Sequence, residues 1–168
     1  MSVAVVLINP KTPYNVGAVI RACSLFGVPT LRWTGTRISS AEGRRKAGSH
    51  LKGNRSRLPR EERLKDYTGV DWVEAADDVV STLAEKGLTP IAVEKREQAE
   101  PLDTFVHPPN ALYVFGPEDG HVPQSVLAVC HRFVVIPTVQ QSVPLNLAAA
   151  VNVVLYDRHA KERRERDS

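Results

Sequence analysis

Polar side chains able to do chemistry adjoin apolar runs at three places in this chain. The first is Asn15-Val-Gly17-Ala-Val-Ile-Arg21, and the second is Gly116-Pro-Glu118-Asp-Gly120, directly after the apolar run Ala111–Phe115. The third is Leu145-Asn146, at the head of an apolar stretch that continues to Leu155. A guanidinium stays protonated in proteins, so Arg21 offers positive charge and a planar fork of donors, not a base. Glu118 follows a Gly-Pro turn, where a carboxylate can orient Arg21 or Asn15. Gly17 allows a backbone or substrate to approach where a Cβ would clash. Each residue also has an ordinary structural reading: Arg21 as a surface arginine on an amphipathic helix, Asn15 as a helix N-cap, Glu118 as a loop carboxylate.

Other chemistries find less support. Cys23 and Cys130 lie in helix-like segments without CxxC or Cys/His spacing, which argues against a zinc site or a disulfide scaffold and makes a reducing cytoplasm the default compartment. His50, His107, His121, His131 and His159 show no metal-ligand spacing and read as surface or structural residues. No Gly-x-Gly-x-x-Gly follows a strand, so a dinucleotide-type dehydrogenase or methyltransferase is disfavoured. The net charge of +3 says little, but its distribution says more. Eight basic residues (Arg44, Arg45, Lys46, Lys52, Arg55, Arg57, Arg60 and Arg63) face two acids between positions 44 and 63, and the rest of the chain is mildly acidic. A cationic segment of this kind suits a phosphate backbone, whose neutralisation releases condensed counterions. The same composition also suits a solvated loop.

The elements that position these residues alternate along the chain. Val3–Ile8 is a short apolar, β-branched run stopped by Asn9-Pro10, as expected of a central parallel strand and not of a signal peptide. The spacing predicts helices over Asn15–Phe26, Ala75–Glu85, Pro123–Val129 and Pro144 to about Arg164. Further strands are predicted over Thr30–Trp33, Asp71–Val73, Thr89–Val93, Ala111–Phe115 and Arg132–Ile136. Between the second and third strands lie about 35 Gly-, Ser- and Arg-rich residues without sustained periodicity, a long functional loop or partly helical insertion. Strands alternating with helices imply a parallel sheet covered on both faces, which binds ligands outside the carboxyl ends of its strands. That rule directs attention to the loops Asn9–Asn15, Gly116–His121 and Pro137–Asn146.

With 168 residues, 42% hydrophobic and 24% charged, the chain reads as one compact α/β domain over residues 1–168. Its apolar stretch near the C-terminus, interrupted by Asn152, is too short to span a bilayer. Leu145, Leu147, Ala148, Ala149, Val151, Val153, Val154 and Leu155 cover more than one face of the last helix, which suggests a subunit interface. Asn152 reads as a hydrogen-bonded core or interface residue, and Pro144 as the first residue of that helix.

The same three loops carry a resemblance. Asn15-Val-Gly-Ala-Val-Ile-Arg21-Ala-Cys-Ser-Leu-Phe-Gly27 is similar to the first motif of the SpoU (TrmH-like) branch of the SPOUT RNA methyltransferases. Val114-Phe-Gly116-Pro-Glu118-Asp-Gly120 resembles the second motif, and Ile136-Pro-Thr-Val with Leu145-Asn146-Leu-Ala-Ala-Ala150 the third. One departure stands out: the family usually has Ser-Leu-Asn or Ser-Met-Asn where this chain has Pro144-Leu145-Asn146. A proline cannot donate a hydrogen bond, although Ser142 lies two residues upstream.

The resemblance implies a parallel-sheet SPOUT-type fold with a C-terminal trefoil knot, of the minimal single-domain type. It implies transfer of a methyl group from S-adenosylmethionine to a ribose 2′-hydroxyl of structured RNA, tRNA favoured over rRNA, without a metal. Arg21, Asn15, Glu118 and Asn146 would be the catalytic residues, with Arg21 stabilising the developing alkoxide and holding a neighbouring phosphate. Gly116, Ile136 and Leu145 would contact the cofactor, with Val93 or Glu94 beside them. Arg44, Arg45, Lys46, Lys52, Arg55, Arg57 and Arg60 would bind RNA. A cytoplasmic homodimer joined by the C-terminal helix is expected, and the loss of the motif serine leaves an inactive knotted RNA-binding protein as the alternative.

Overall fold

Five consecutive apolar residues, Val3–Leu7, form β1, and four of them are fully buried because the strand lies between two helical layers. A computed structural model describes residues 2–38, 69–140 and 142–167 of the chain. After β1 come α1 (Pro13–Leu25), β2 (Thr30–Trp33), β3 (Asp71–Glu74), α2 (Val79–Glu85) and β4 (Thr89–Val93). They are followed by β5 (Glu100–Pro101), β6 (Ala111–Phe115), α3 (Gln124–Leu127), β7 (Arg132–Val135) and α4 (Leu147–Arg166). The sheet runs β3-β2-β1-β6-β4-β7-β5, with every pairing parallel.

The two-residue period of the strands divides the core in two. Val5, Leu7, Tyr113 and Phe115 pack with Val16, Val19 and Ile20 of α1 and Val151, Val154 and Leu155 of α4. Ala4, Val6, Leu112 and Val114 face the other way, onto Val79 and Val80 of α2. The register brings Leu7 level with Phe115, Phe115 with Val93, and Val93 with Val134. The loops that leave these four strand ends therefore emerge side by side on one edge. Among the described residues no helix is long and apolar enough to cross a membrane.

Both long helices start differently from the sequence expectation. α1 begins at Pro13 with Thr12 at the N-cap, so Asn15 lies inside the first turn and is not the cap. Proline suits this first position because its missing N–H has no intrahelical partner there. α4 begins at Leu147 with Asn146 as its cap: Asn146 Oδ1 accepts from the amides of Ala148 (2.9 Å) and Ala149 (3.2 Å). Pro144 is therefore outside the helix. α2 starts at Val79, four residues later than expected, and α3 is a single turn. The two-residue β5 was not anticipated. It pairs with β7 at the sheet edge, where a proline is tolerated.

The distal half of α4 is highly charged yet tied into the fold. Arg158 is buried and donates to the carbonyls of Pro108 (2.8 Å) and Pro109 (3.1 Å), while Lys161 Nζ donates to those of Leu102 (2.6 Å) and Phe105 (3.0 Å). His107 bridges Tyr113 Oη and Asp157 Oδ2 (2.8 Å). Burial in this cluster pushes the Tyr113 hydroxyl up to about 12. Asn152, read as a hydrogen-bonded core or interface residue, is half-buried and donates to the Ala148 carbonyl of its own helix (2.8 Å).

Candidate active site

Glu118 is the centre of the strand-end edge. It sits on the loop after β6, and its carboxylate faces the start of α1. The Lys11 amide donates to Oε2 (2.7 Å), while the Thr12 amide (3.0 Å) and Asn15 Nδ2 (2.9 Å) donate to Oε1. Burial pushes the Glu118 carboxyl up, but the Lys11 amide, the Asn15 side chain, its own backbone amide and the Thr12 amide outweigh that and hold it below the usual range. Glu118 is a carboxylate at neutral pH, engaged in orienting other groups.

Its acceptor-only character sets the next amides in order. Asn15 must turn Nδ2 towards Glu118, which leaves Oδ1 to accept from Asn146 Nδ2 (3.1 Å). Asn146 in turn keeps Oδ1 for the amides at the head of α4. One chain of hydrogen bonds thus joins the loops after β1, β6 and β7. Each carboxamide retains an N–H for an outside acceptor.

Beside this chain lies a cleft of about 460 Å³, within the range of small-molecule sites. Val93 and Glu94 at the end of β4, Gly116 after β6, Ile136 after β7 and Leu145, the residues expected to contact a cofactor, all line it, and so do Glu118, Ser142 and Pro144. A Cβ on Gly116 would lie 2.9 Å from the Val122 backbone nitrogen, so only glycine fits the close passage of the two loop segments. Glu94 fixes the same loop, accepting from the Val122 amide (3.0 Å) and pairing with His121 Nδ1 (2.8 Å).

Arg21 stands apart. It is half-buried on α1, and no hydrogen bond or ion pair joins it to another described residue. Six helical residues after Asn15 place it about 9 Å along the axis and about 120° around it. It does not line the cleft, and Glu118 orients Asn15, not Arg21. Arg44, Arg45, Lys46, Lys52, Arg55, Arg57 and Arg60 lie outside the described residues.

The sequence reading missed two features. The Lys11 and Thr12 groups that hold Glu118 are backbone amides, which no residue type announces. His121, read as surface or structural, holds Glu94 at the cleft; its place in the Gly116–His121 loop was the available signal.

The sequence profile described as the SpoU rRNA methylase family matches residues 2–156. The chain is similar to a tRNA (cytidine-2′-O-)-methyltransferase, TrmJ, of Methanocaldococcus jannaschii, at 29% identity over 98% of this chain and 70% of the relative. Among solved structures, one concerning the 2-OH methylation of C/U34 on tRNA matches with a TM-score of 0.70 and 26% identity, covering 96% of this chain and 91% of the other. The TrmH/SpoU tRNA-modifying enzyme of A. aeolicus matches with a TM-score of 0.76 at 16% identity, covering 98% and 77% of the two chains, a likeness of fold. With its three motifs gathered at one sheet edge and the family profile spanning nearly its whole length, the chain belongs to the SpoU rRNA methylase family.

Proposed function

We propose that tRNA is the substrate of the S-adenosylmethionine-dependent ribose 2′-O-methylation this chain performs, and that Glu118, Asn15, Asn146 and Arg21 carry the reaction. The observation that carries this reading is the hydrogen-bond chain from Glu118 through Asn15 to Asn146 along the rim of the cleft. The tRNA methyltransferase relative supports tRNA over rRNA.

The cleft fits S-adenosylmethionine in size, in the apolar walls from Val93, Ile136 and Leu145, and in the backbone passage that Gly116 keeps narrow. Bound there, the cofactor supplies a sulfonium methyl that needs no further activation. Glu94, with its carboxylate held by two donors, offers acceptors to hydroxyl or amino groups. The protein's remaining tasks are alignment of the 2′-hydroxyl and stabilisation of the charge that develops on it. Glu118 fixes Asn15 and, through it, Asn146, and each carboxamide keeps one N–H to offer the substrate. Arg21, without a partner among the described residues, supplies its guanidinium to the alkoxide and to a neighbouring phosphate. The residues from Arg44 to Arg60 hold the RNA backbone.

We assign to the chain also the family's trefoil knot, a cytoplasmic location and a homodimer. Leu147, Ala148, Val151, Val154 and Leu155 are buried within the chain itself, which leaves Val153 and Tyr156 of α4, and Tyr14 and Leu25 of α1, as exposed apolar groups for a second copy. Single-turnover methylation at saturating cofactor and tRNA tests the site. Arg21→Ala should lower the rate by roughly 10²-fold or more with cofactor affinity intact, and Arg21→Lys should rescue poorly because it lacks the planar fork. A wild-type rate in Arg21→Ala would remove Arg21 from the reaction.

A further inference from the structure

Two cations from different loops converge on one exposed carboxylate beside the site. Arg37, beyond β2, donates from Nη1 to Asp119 Oδ1 at 2.6 Å, and Lys11 Nζ lies 3.4 Å from Oδ2. Asp119 directly follows Glu118, and the amide of Lys11 is one of the donors that hold Glu118 (2.7 Å). The ion cluster is thus fastened by covalent bonds to both partners of the central hydrogen bond. All three side chains remain open to solvent, with relative exposures of 38% for Arg37, 59% for Lys11 and 41% for Asp119.

The fold gains little from such an arrangement. Exposed ion pairs contribute weakly to stability, since water and salt compete for both charges. Two cations against one anion also leave a positive surplus, and the neighbouring Glu118 charge is already covered by three N–H donors. The Arg37 hydrogen bond holds the Asp119 carboxyl below its ordinary range, so the anion is present at neutral pH.

We propose that Lys11 and Arg37 form a docking point for a phosphate of the RNA strand, and that Asp119 occupies it as an intramolecular stand-in which RNA displaces. The proposal rests on the RNA methyltransferase reading. A phosphodiester presents two non-bridging oxygens to an arginine fork much as a carboxylate does, so the exchange replaces one charge-assisted contact with another. It occurs within one residue of Glu118, where an anchored phosphate sets the position of the ribose attached to it. Asp119 meanwhile acts as a built-in counterion: it weakens every RNA equally and withholds tight binding from phosphates that bring no further contacts.

The test is a titration of unfractionated tRNA at a series of salt concentrations. Asp119→Asn should tighten binding by about 3- to 10-fold at low salt and steepen the dependence of log K on log salt by about one unit. Arg37→Gln and Lys11→Gln should each weaken binding and flatten that dependence by about one unit. In an Arg37→Gln/Lys11→Gln background, Asp119→Asn should have no further effect. Cofactor affinity and Tm, measured in parallel, show that each variant is folded. Asp119→Asn binding tRNA no more tightly than wild type, or more weakly, would overturn the stand-in role, as would unchanged binding in the two cation variants. If wild type itself fails to bind and methylate tRNA, the functional reading fails instead.

Discussion

Removing the Glu118 carboxylate tests how far the site depends on one side chain. In Glu118→Gln the amide oxygen is best placed at the Oε1 position, where it keeps the Thr12 amide and Asn15 Nδ2. The new NH2 then faces the Lys11 N–H across the 2.7 Å that the carboxylate bridged, donor against donor. A hydrogen bond to a charged group contributes about 1.5–3 kcal/mol, and the exposed Lys11 amide recovers part of this from water, leaving a cost of about 1–2 kcal/mol. For a chain of this length that corresponds to a Tm lower by about 2–8 °C. Glu118→Ala loses all three bonds and frees the Asn15 carboxamide, so single-turnover methylation should fall by about 10²-fold, the scale of an ångström's misplacement of reacting groups. The sign of the pH dependence adds a second readout. The folded carboxyl titrates below its ordinary value of 4.5, so its contribution to stability is full above pH 4.5 and is lost as pH falls through the folded value. The Tm gap between wild type and Glu118→Gln should close on acidification over that window. A Glu118→Ala protein with the wild-type rate and Tm would refute the reasoning.

The remaining expectations concern separate parts of the molecule. Gly116→Ala places a Cβ 2.9 Å from the Val122 nitrogen; forcing the two loop segments apart should cost about 1–3 kcal/mol and weaken cofactor binding by calorimetry, and unchanged affinity would count against the cleft as the cofactor site. His107 is pushed below its ordinary 6.5 by burial, against the opposing pull of Asp157 and with the help of Lys161 and Arg158, while Tyr113 and Glu162 complete the cluster. Its contribution to stability should therefore be full above pH 6.5 and be lost as pH falls through the folded value, and His107→Gln should flatten the acid decline of Tm; an identical decline in the variant would exclude His107 as its source. Val153→Asp/Tyr156→Asp should give a folded monomer by light scattering, whereas Val154→Asp, at a site buried within the chain, should impair folding itself; a double variant that stays dimeric would exclude this face.

What the sequence disclosed follows from where the forces act. β1 and β6 were readable because strands buried on both faces must be apolar throughout, and Val3–Leu7 and Ala111–Phe115 are. β5 was not, because two edge residues held by backbone bonds leave no periodicity. The anchorage of the distal half of α4 was not readable, since the carbonyls of residues 102–109 that receive Arg158 and Lys161 come near only through the topology of the sheet. Asn15 passed for a cap because asparagine suits that position, while Thr12-Pro13 starts the helix three residues earlier and frees Asn15 for Glu118. Gly116, Ile136 and Leu145 were found through family motifs and Val93 and Glu94 through the fold that the resemblance implies, and these cleft residues converge because parallel register aligns the strand ends. Arg21 was found through the first motif, but within the chain it stands apart from Glu118, Asn15 and Asn146.

The central claim is methyl transfer to a ribose hydroxyl of RNA. Its most direct test is mass spectrometry of nucleosides from tRNA incubated with the protein and S-adenosylmethionine carrying an isotopically labelled methyl group. The account predicts label in a 2′-O-methylated nucleoside, lost in Glu118→Ala and Arg21→Ala. Label on a base, or no label in any RNA exposed to folded protein that binds the cofactor, would contradict it.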